Sequence, residues 1–379
     1  MIAIGGREIF TATRVLVRGQ LARYGGGGTS ETRHFEQELS AAMGATHALA
    51  VNSGTSALIC ALAAAGIGPG DEVLVPAYTW VATAAAPLAV GAVPVLVEID
   101  ESLTLDPVDL KAKITPYTKA VIPVHMLNIV CDMTRVMSLA DEFGLVVVED
   151  ACQAIGARYE GKRVGSIGHA GAFSFQQNKN LKGGEGGTVI TNDSRLFARA
   201  EMYHDVGSYT REGRYESDEP IFVGQNLRMP ELTAAILRTQ LRRLDRQLAQ
   251  RRRRRLEIIE EVGNVPGLAV SVHHSPAEAV GLTILAEDVE RARSFATVKG
   301  VNRLIDTGRH VYSNWQSILA KRSFDPRMDP YQWANRKIEQ SADSCPNTLR
   351  LLERSCSVSC DAEIPMPVIR RMAKELAKR

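Results

Sequence analysis

From Thr46 onward, short runs of aliphatic and β-branched residues alternate with longer stretches rich in alanine. The apolar runs at 48–51, 72–75, 93–97, 120–124 and 145–148 have the length and composition of buried strands. The stretches at 56–65, 81–90 and 133–143 read as the helices between them. Such alternation predicts βαβ units around a mainly parallel sheet, so residues 45 to about 225 form one α/β domain. Ahead of it, residues 1 to about 35 read as an arm that ends in Gly25-Gly26-Gly27-Gly28 and leads into a helix over 31–43. No strand precedes those glycines and no GK[ST] follows, so a flexible turn is expected there and not a phosphate loop.

Past residue 225 the period lengthens. Pro230 opens a helical pattern carrying Leu237, Leu241, Leu244, Leu248, Leu256 and Ile259, expected as one long helical stretch linking two domains. Beyond Val265 a smaller α+β domain is expected, with a strand over 280–286, a helix over 288–298 and a terminal helix over 367–377. The polar stretch from 323 to 344 has no period that places it. The expected division is therefore an arm and large α/β domain over 1–245 and a small C-terminal α+β domain over 246–379.

Composition narrows the classes of function. The chain has 379 residues, 45% of them hydrophobic, enough for two domains. Its 45 Lys and Arg against 43 Asp and Glu leave a formal charge of +2, which gives no electrostatic reason to expect nucleic acid or a membrane. Arg251 to Arg255 is a basic run, but it sits inside the helical pattern, where a solvated helix face or a subunit contact is favoured over a nucleic-acid or targeting patch. Six scattered cysteines without a CxxC pair fit a reducing, cytoplasmic setting. The N-terminal residues show no secretory pattern.

Candidate chemistry gathers at predicted strand ends. Ala172 to Ser174 leads into a polar, glycine-dense loop that holds Lys179. Partial desolvation of a lysine there would favour the free amine that attacks carbonyls, although, taken alone, a loop lysine is more often a solvated one. At Asn52-Ser53-Gly54-Thr55-Ser56 a strand stops and a helix begins, which makes either a phosphate cup or a simple N-cap. Val146 to Asp150 delivers an acid at a strand's C-terminal end, where α/β sheets bind ligands. Such an acid needs a cation, a pyridinium nitrogen or an arginine. Pro76 to Trp80 presents an aromatic ring, for stacking on a planar group or for the core. Cup, aromatic, acid and lysine together match the needs of pyridoxal 5'-phosphate, with no metal implied.

At this point the sequence resembles the DegT/StrS group (DegT/DnrJ/EryC1/StrS) of fold-type I pyridoxal-phosphate enzymes, largely aminotransferases acting on nucleotide-linked keto-sugars and on keto-cyclitols. The resemblance rests on NSGTSAL (52–58), GIGPGDEVLVPAYTWVAT (66–83), VVEDACQAIGA (147–157), FSFQQNKNLKGGEGG (173–187) and NLRMPELTAAI (226–236). It implies that Lys179 is the Schiff-base lysine and proton shuttle, ranked well ahead of Lys182, and that Asp150 keeps the ring nitrogen protonated. Gln153 would bond the ring oxygen, Trp80 would cover a ring face, and Gly54, Thr55 and Ser174 would hold the phosphate. Asn226 would reach the neighbouring subunit's phosphate site, which implies a homodimer with composite sites. His310 and Tyr312, in GRHVYSNW (308–315), would stand for a substrate-contacting segment.

The implied activity is transfer of an amino group from glutamate or glutamine to a keto-sugar or keto-cyclitol. A lyase, dehydratase or carbon–carbon bond former on the same fold is the alternative, and a non-catalytic partner the third reading. Retention of Lys179 speaks against the family's dehydrating subgroup, which has histidine there. Three departures stand out: Asn128 where the family has glycine three residues past the histidine matching His125, Cys152 where alanine is frequent, and Leu227 where tyrosine is usual.

Overall fold

The structure, a computed structural model, describes residues 4–24, 30–207, 219–263 and 265–379. The glycine run at 25–28 lies outside the described residues.

The arm is a helix, α1 (Gly6–Arg18), followed by α2 (Glu31–Met43), whose Arg33 amide is capped by the Ser30 hydroxyl. The α/β series then runs β1 (His47–Val51), α3 (Gly54–Ala64), β2 (Glu72–Pro76), α4 (Ala82–Ala89), β3 (Val93–Val97), α5 (Pro107–Lys113) and β4 (Thr118–Val121). It continues through α6 (Met133–Phe143), β5 (Val146–Asp150), a small hairpin of β6 (Arg158–Tyr159) and β7 (Lys162–Arg163), β8 (Ala170–Ser174), β9 (Gly187–Thr191) and α7 (Ser194–His204).

Seven strands form one sheet in the order β1-β9-β8-β5-β4-β2-β3. All neighbours pair in parallel except β9, which runs antiparallel to β1 and β8. The mainly parallel sheet expected from the sequence is therefore present, with one strand reversed by the Lys179 loop, which returns β9 directly beside β8. The reversal matters for the site. It puts the start of β9 at the same sheet edge as the C-terminal ends of β1, β2, β5 and β8, the edge where such sheets bind ligands.

The strands are apolar throughout because both faces are covered. Leu74, Val121 and Val147 point into a core shared with Phe35, Phe173 and Leu241, whereas Val73, Val75 and Val148 point into a second core with Leu58 and Leu62 of α3.

Two helices replace the single one expected after Pro230: α8 (Glu231–Leu241) and α9 (Leu244–Val262). At Arg243 the backbone leaves helical geometry (φ −117°, ψ 4°), and its amide bonds back three residues, to Gln240 O at 3.0 Å. The break re-aims the chain: α8 packs on α1 and α2, and α9 packs on the C-terminal helix.

The remaining elements are β10 (Leu268–Val270), β11 (Thr283–Ala286), α10 (Val289–Phe295), β12 (Val301–Arg303), α11 (Gln316–Leu319), α12 (Pro346–Arg354), β13 (Ser355–Val358) and α13 (Met366–Leu376). A four-stranded antiparallel sheet, β10-β11-β13-β12, closes over a third core of Ile258, Ile284, Phe295 and Ile369. This lobe is α+β, as expected.

Residues 305–352 behave differently. Tyr312, Trp315, Ile318, Cys345 and Leu352 belong to the core of the large sheet. Gln340 clamps the edge strand β3 as a partner strand would: its side chain donates to Pro94 O (2.8 Å) and accepts from Leu96 N (2.8 Å). Glu98 accepts the Asn347 and Thr348 amides (3.1 and 2.7 Å), capping α12.

The arginine run corrects the reading of a solvated face. Arg254 and Arg255 are buried, donating to Ile364 O, Ala362 O and Gly281 O. Arg252 donates to Glu278 O, and Arg251 pairs with Asp361. Four of the five guanidinium groups thus bind α9 to the small lobe. Among the described residues no helix is long and apolar enough to cross a membrane.

Candidate active site

Where the strand ends meet, two glycines let the chain come into contact with itself. A β-carbon on Gly187 would lie 2.2 Å from Ser53 O, and one on Gly54 would lie 2.6 Å from Ser174 Cβ and 3.0 Å from Cys152 Sγ. Only glycine at both places allows the start of α3 to press against β8 and β9. The helix start then opens onto a cavity of about 670 Å³ at this sheet edge, lined by Gly54, Thr55, Trp80, Asp150, Gln153, Ser174, Lys179 and His310 among others.

Of the two readings of residues 52–56, the N-cap is the one the hydrogen bonds display. Ser53 is the N-cap: its Oγ accepts the Ser56 amide at 3.0 Å. The amides of Gly54 and Thr55 have no intrahelical acceptor, and both residues line the cavity with Ser174. They stand at the positive end of an eleven-residue helix.

Strand alternation separates the neighbouring acids of β5. Glu149, fully buried, accepts the amides of Gly165, Ile167 and Gly168 at 2.6 to 2.7 Å and pairs with His125 at 2.9 Å, so its role is structural. Asp150 faces the other way, into the cavity, and is only 4% exposed. Its Oδ2 accepts from the Thr83 hydroxyl at 2.7 Å and its Oδ1 from the Cys152 amide at 3.1 Å. Both partners are neutral. Thr79 and Thr83 share a further hydroxyl bond of 2.7 Å, and since Thr83 donates to Asp150, Thr79 donates to Thr83. Sequence reasoning did not single out this relay, although the i,i+4 spacing of the two threonines beside Trp80 was its signal.

The loop after β8 holds two lysines with different fates. Lys182 Nζ is paired with Glu363 at 2.7 Å. Lys179 Nζ lines the cavity and makes no hydrogen bond or ion pair among the described residues. Its charge is felt by Cys152 and His310. Burial, and then the Asp150 carboxylate, push the Cys152 thiol well above its usual range, so it remains a thiol. Burial holds His310 below the usual imidazole range against the opposing Thr307 carbonyl, which accepts from Nδ1 at 3.0 Å. Gln153 accepts the Leu127 amide on Oε1 at 3.3 Å, which leaves its NH2 group as the free end.

Trp80 is 39% exposed and lines the cavity instead of filling the core. Its ring lies 5.1 Å from the His310 ring, with the Arg309 guanidinium 5.1 Å from its centroid. Residues 309 and 310 reach it because their carbonyls accept the amides of Val81 and Thr79 (3.1 and 3.0 Å).

Two predicted residues lie elsewhere. Tyr312 is corrected: it is 0% exposed, its hydroxyl donates to Ala342 O at 2.7 Å and accepts the Cys345 amide at 2.9 Å, and it cannot touch a substrate. The consecutive 3-10 turns at 308–310 and 312–314 turn it inward while His310 stays at the wall. Asn226 is exposed, bridged to Asp205, and outside the cavity of its own chain. The opposite wall comes from the small lobe, with Arg251, Asn302, Ser357, Ser359 and Asp361, for which the sequence carried no motif.

The DegT/DnrJ/EryC1/StrS aminotransferase family model matches residues 4–374. The chain is 40% identical over 281 residues to the dTDP-3-amino-3,4,6-trideoxy-alpha-D-glucose transaminase of Streptomyces venezuelae, covering 72% of each. It is 43% identical over 231 residues to the L-glutamine:2-deoxy-scyllo-inosose aminotransferase of Streptoalloteichus tenebrarius, covering 59% of this chain and 54% of that one. The crystal structure of a 3-amino-5-hydroxybenzoic acid synthase superposes with a TM-score of 0.82 at 29% identity, over 99% of this chain and 96% of that one. The chain belongs to the DegT/DnrJ/EryC1/StrS aminotransferase family.

Proposed function

We propose that this aminotransferase binds pyridoxal 5'-phosphate in the cavity and carries an amino group from glutamate or glutamine to a carbonyl of a keto-sugar, nucleotide-linked in the first instance, or of a keto-cyclitol. The observation that carries the reading is the pairing of a buried Asp150 carboxylate, bonded only to neutral donors, with a free Lys179 amine on one cavity. A buried carboxylate asks for a cationic partner, and a protonated ring nitrogen meets that demand.

The residues present fit the cofactor at each of its polar groups. The Gly54 and Thr55 amides with the Ser174 hydroxyl would hold the phosphate, the free NH2 of Gln153 the ring oxygen, Asp150 the ring nitrogen, and Lys179 Nζ the reactive carbon. Trp80 would cover one ring face. When bound, the cofactor supplies an electron sink for negative charge at the carbon that gains or loses nitrogen.

The rest is done by the chain. The Thr79–Thr83 relay orients the Asp150 carboxyl group toward the position its partner nitrogen would take. The Lys179 amine would take a proton from one carbon and return it to another, a task for a flexible, unpaired amine in reach of both. Neutral His310, with Nδ1–H committed to Thr307 O, offers Nε2 as an acceptor to the incoming substrate. Asn226, exposed and outside its own cavity, would complete the phosphate cup of a second copy in a homodimer.

The test is spectroscopic. The purified protein is expected to show a visible band that bleaches with glutamate or glutamine and returns when a keto-sugar nucleotide or keto-cyclitol is added. A band that no amino donor bleaches would contradict amino transfer.

A further inference from the structure

Between the two walls of the cavity lies a turn whose backbone is costly for the residues that occupy it. Leu127 and Asn128 both have left-handed φ, +54° and +62°, a conformation that glycine adopts freely and that L-residues with a β-carbon adopt at a cost. Asparagine tolerates it better than most, but glycine at 128 would relieve it entirely.

Two bonds tie this turn to the site. The Leu127 amide donates to Gln153 Oε1 at 3.3 Å, which fixes the amide of Gln153 with its NH2 group free. Asn128 Oδ1, on a residue 7% exposed, accepts from Asn180 Nδ2 at 2.7 Å, and Asn180 also donates to Ile155 O at 3.2 Å. Asn180 directly follows Lys179. From the far side the small lobe braces the same turn: a β-carbon on Gly281 would lie 2.2 Å from Leu127 O, and Arg255 Nε holds Gly281 O at 3.0 Å. A buried amide at a strained position, bonded to the neighbour of the free lysine, does what glycine could not.

We propose that Asn128 is a positioning residue: its side-chain oxygen ties Asn180, and with it the backbone of Lys179, to the turn that orients Gln153. The lysine and the ring-oxygen donor are thereby held in one register. This rests on the assignment of Lys179 and Gln153 to pyridoxal phosphate made above.

The test is a double-mutant cycle on holoenzyme with Asn128→Gly, Asn180→Ala and the double variant, reading melting temperature, the pH midpoint of the visible band and kcat/KM. Asn128→Gly is expected to melt at or above the wild-type temperature. Its band midpoint should nonetheless move by about half a pH unit, with kcat/KM falling roughly tenfold. Asn180→Ala should shift the midpoint in the same direction, and the double variant should shift it no further than the larger single change. A wild-type midpoint and kcat/KM in Asn128→Gly would overturn the proposal, as would shifts that sum in the double variant. Absence of the visible band from the wild-type protein would overturn the cofactor assignment instead.

Discussion

The cavity has two walls built on different principles. The large-sheet wall is made of strand ends and a helix start, with its polar groups held by the backbone: Asp150 on the last residue of β5, Ser174 on the last of β8, and the Gly54 and Thr55 amides at the start of α3. The small-lobe wall presents polar side chains, Asn302, Ser357 and Ser359, beside an Arg251–Asp361 pair whose charges meet each other. Rigid backbone elements suit a resident group of constant shape, and interchangeable amides and hydroxyls suit a ring bearing several hydroxyl groups. On this comparison, changes to the first wall remove chemistry, and changes to the second retune the acceptor.

The largest effect expected is at Lys179. Lys179→Ala should abolish the visible band and lower turnover by roughly three orders of magnitude or more, because the proposed nucleophile and proton carrier would be lost together. Full turnover in that variant would break the comparison at its strongest point. Asp150→Asn keeps the shape but removes the charge, and kcat is expected to fall about 10²- to 10³-fold while the cofactor still binds.

A smaller loss on the same wall is expected from Gly54→Ala, whose β-carbon would lie 2.6 Å from Ser174 Cβ. Retention of pyridoxal phosphate on dialysis should weaken roughly tenfold, with melting of the cofactor-free protein lowered because α3 must move. On the other wall, Asn302→Ala and Ser357→Ala should raise the acceptor KM several-fold and leave the donor half-reaction unchanged. Equal loss in both half-reactions would erase the distinction between the walls. The smallest effect concerns Tyr312, outside both. Tyr312→Phe should cost about 1 to 3 kcal/mol of stability, through loss of the bonds to Ala342 O and Cys345 N, with the acceptor KM unmoved.

The first wall was legible in the sequence because its signals are local. Phe173 to Gly187 shows a strand, a lysine and a strand within one stretch, and Val146 to Asp150 puts an acid after an apolar run. Placing these residues at one sheet edge needed only alternation and the sheet-edge rule, while the choice of Lys179 over Lys182 came from the family resemblance. The opposite faces of Glu149 and Asp150 follow from the same alternation.

The second wall and the 305–352 segment depend on distant contacts. Gln340 mimics a strand only because β3 lies at an exposed edge some 245 residues earlier, and Arg336 settles because Glu72 waits at the start of β2. β12 (Val301-Asn302-Arg303) has no apolar run, since its middle residue, Asn302, lines the cavity. Arg254 and Arg255 looked solvated because nothing local reveals the carbonyls of Gly281 and Ile364 that receive them. Tyr312 was misassigned for a related reason: His310 ends one 3-10 turn and Tyr312 begins the next, on the far side of Val311.

The most direct measurement is the identity of the lysine that carries the cofactor. Holoenzyme reduced with borohydride fixes pyridoxal phosphate to its lysine, and peptide mass spectrometry then reads the position. The added mass is expected on Lys179, in the peptide that contains Asn178 and Asn180. Its appearance on Lys182 instead, or on no lysine of the 173–187 segment, would contradict the central claim.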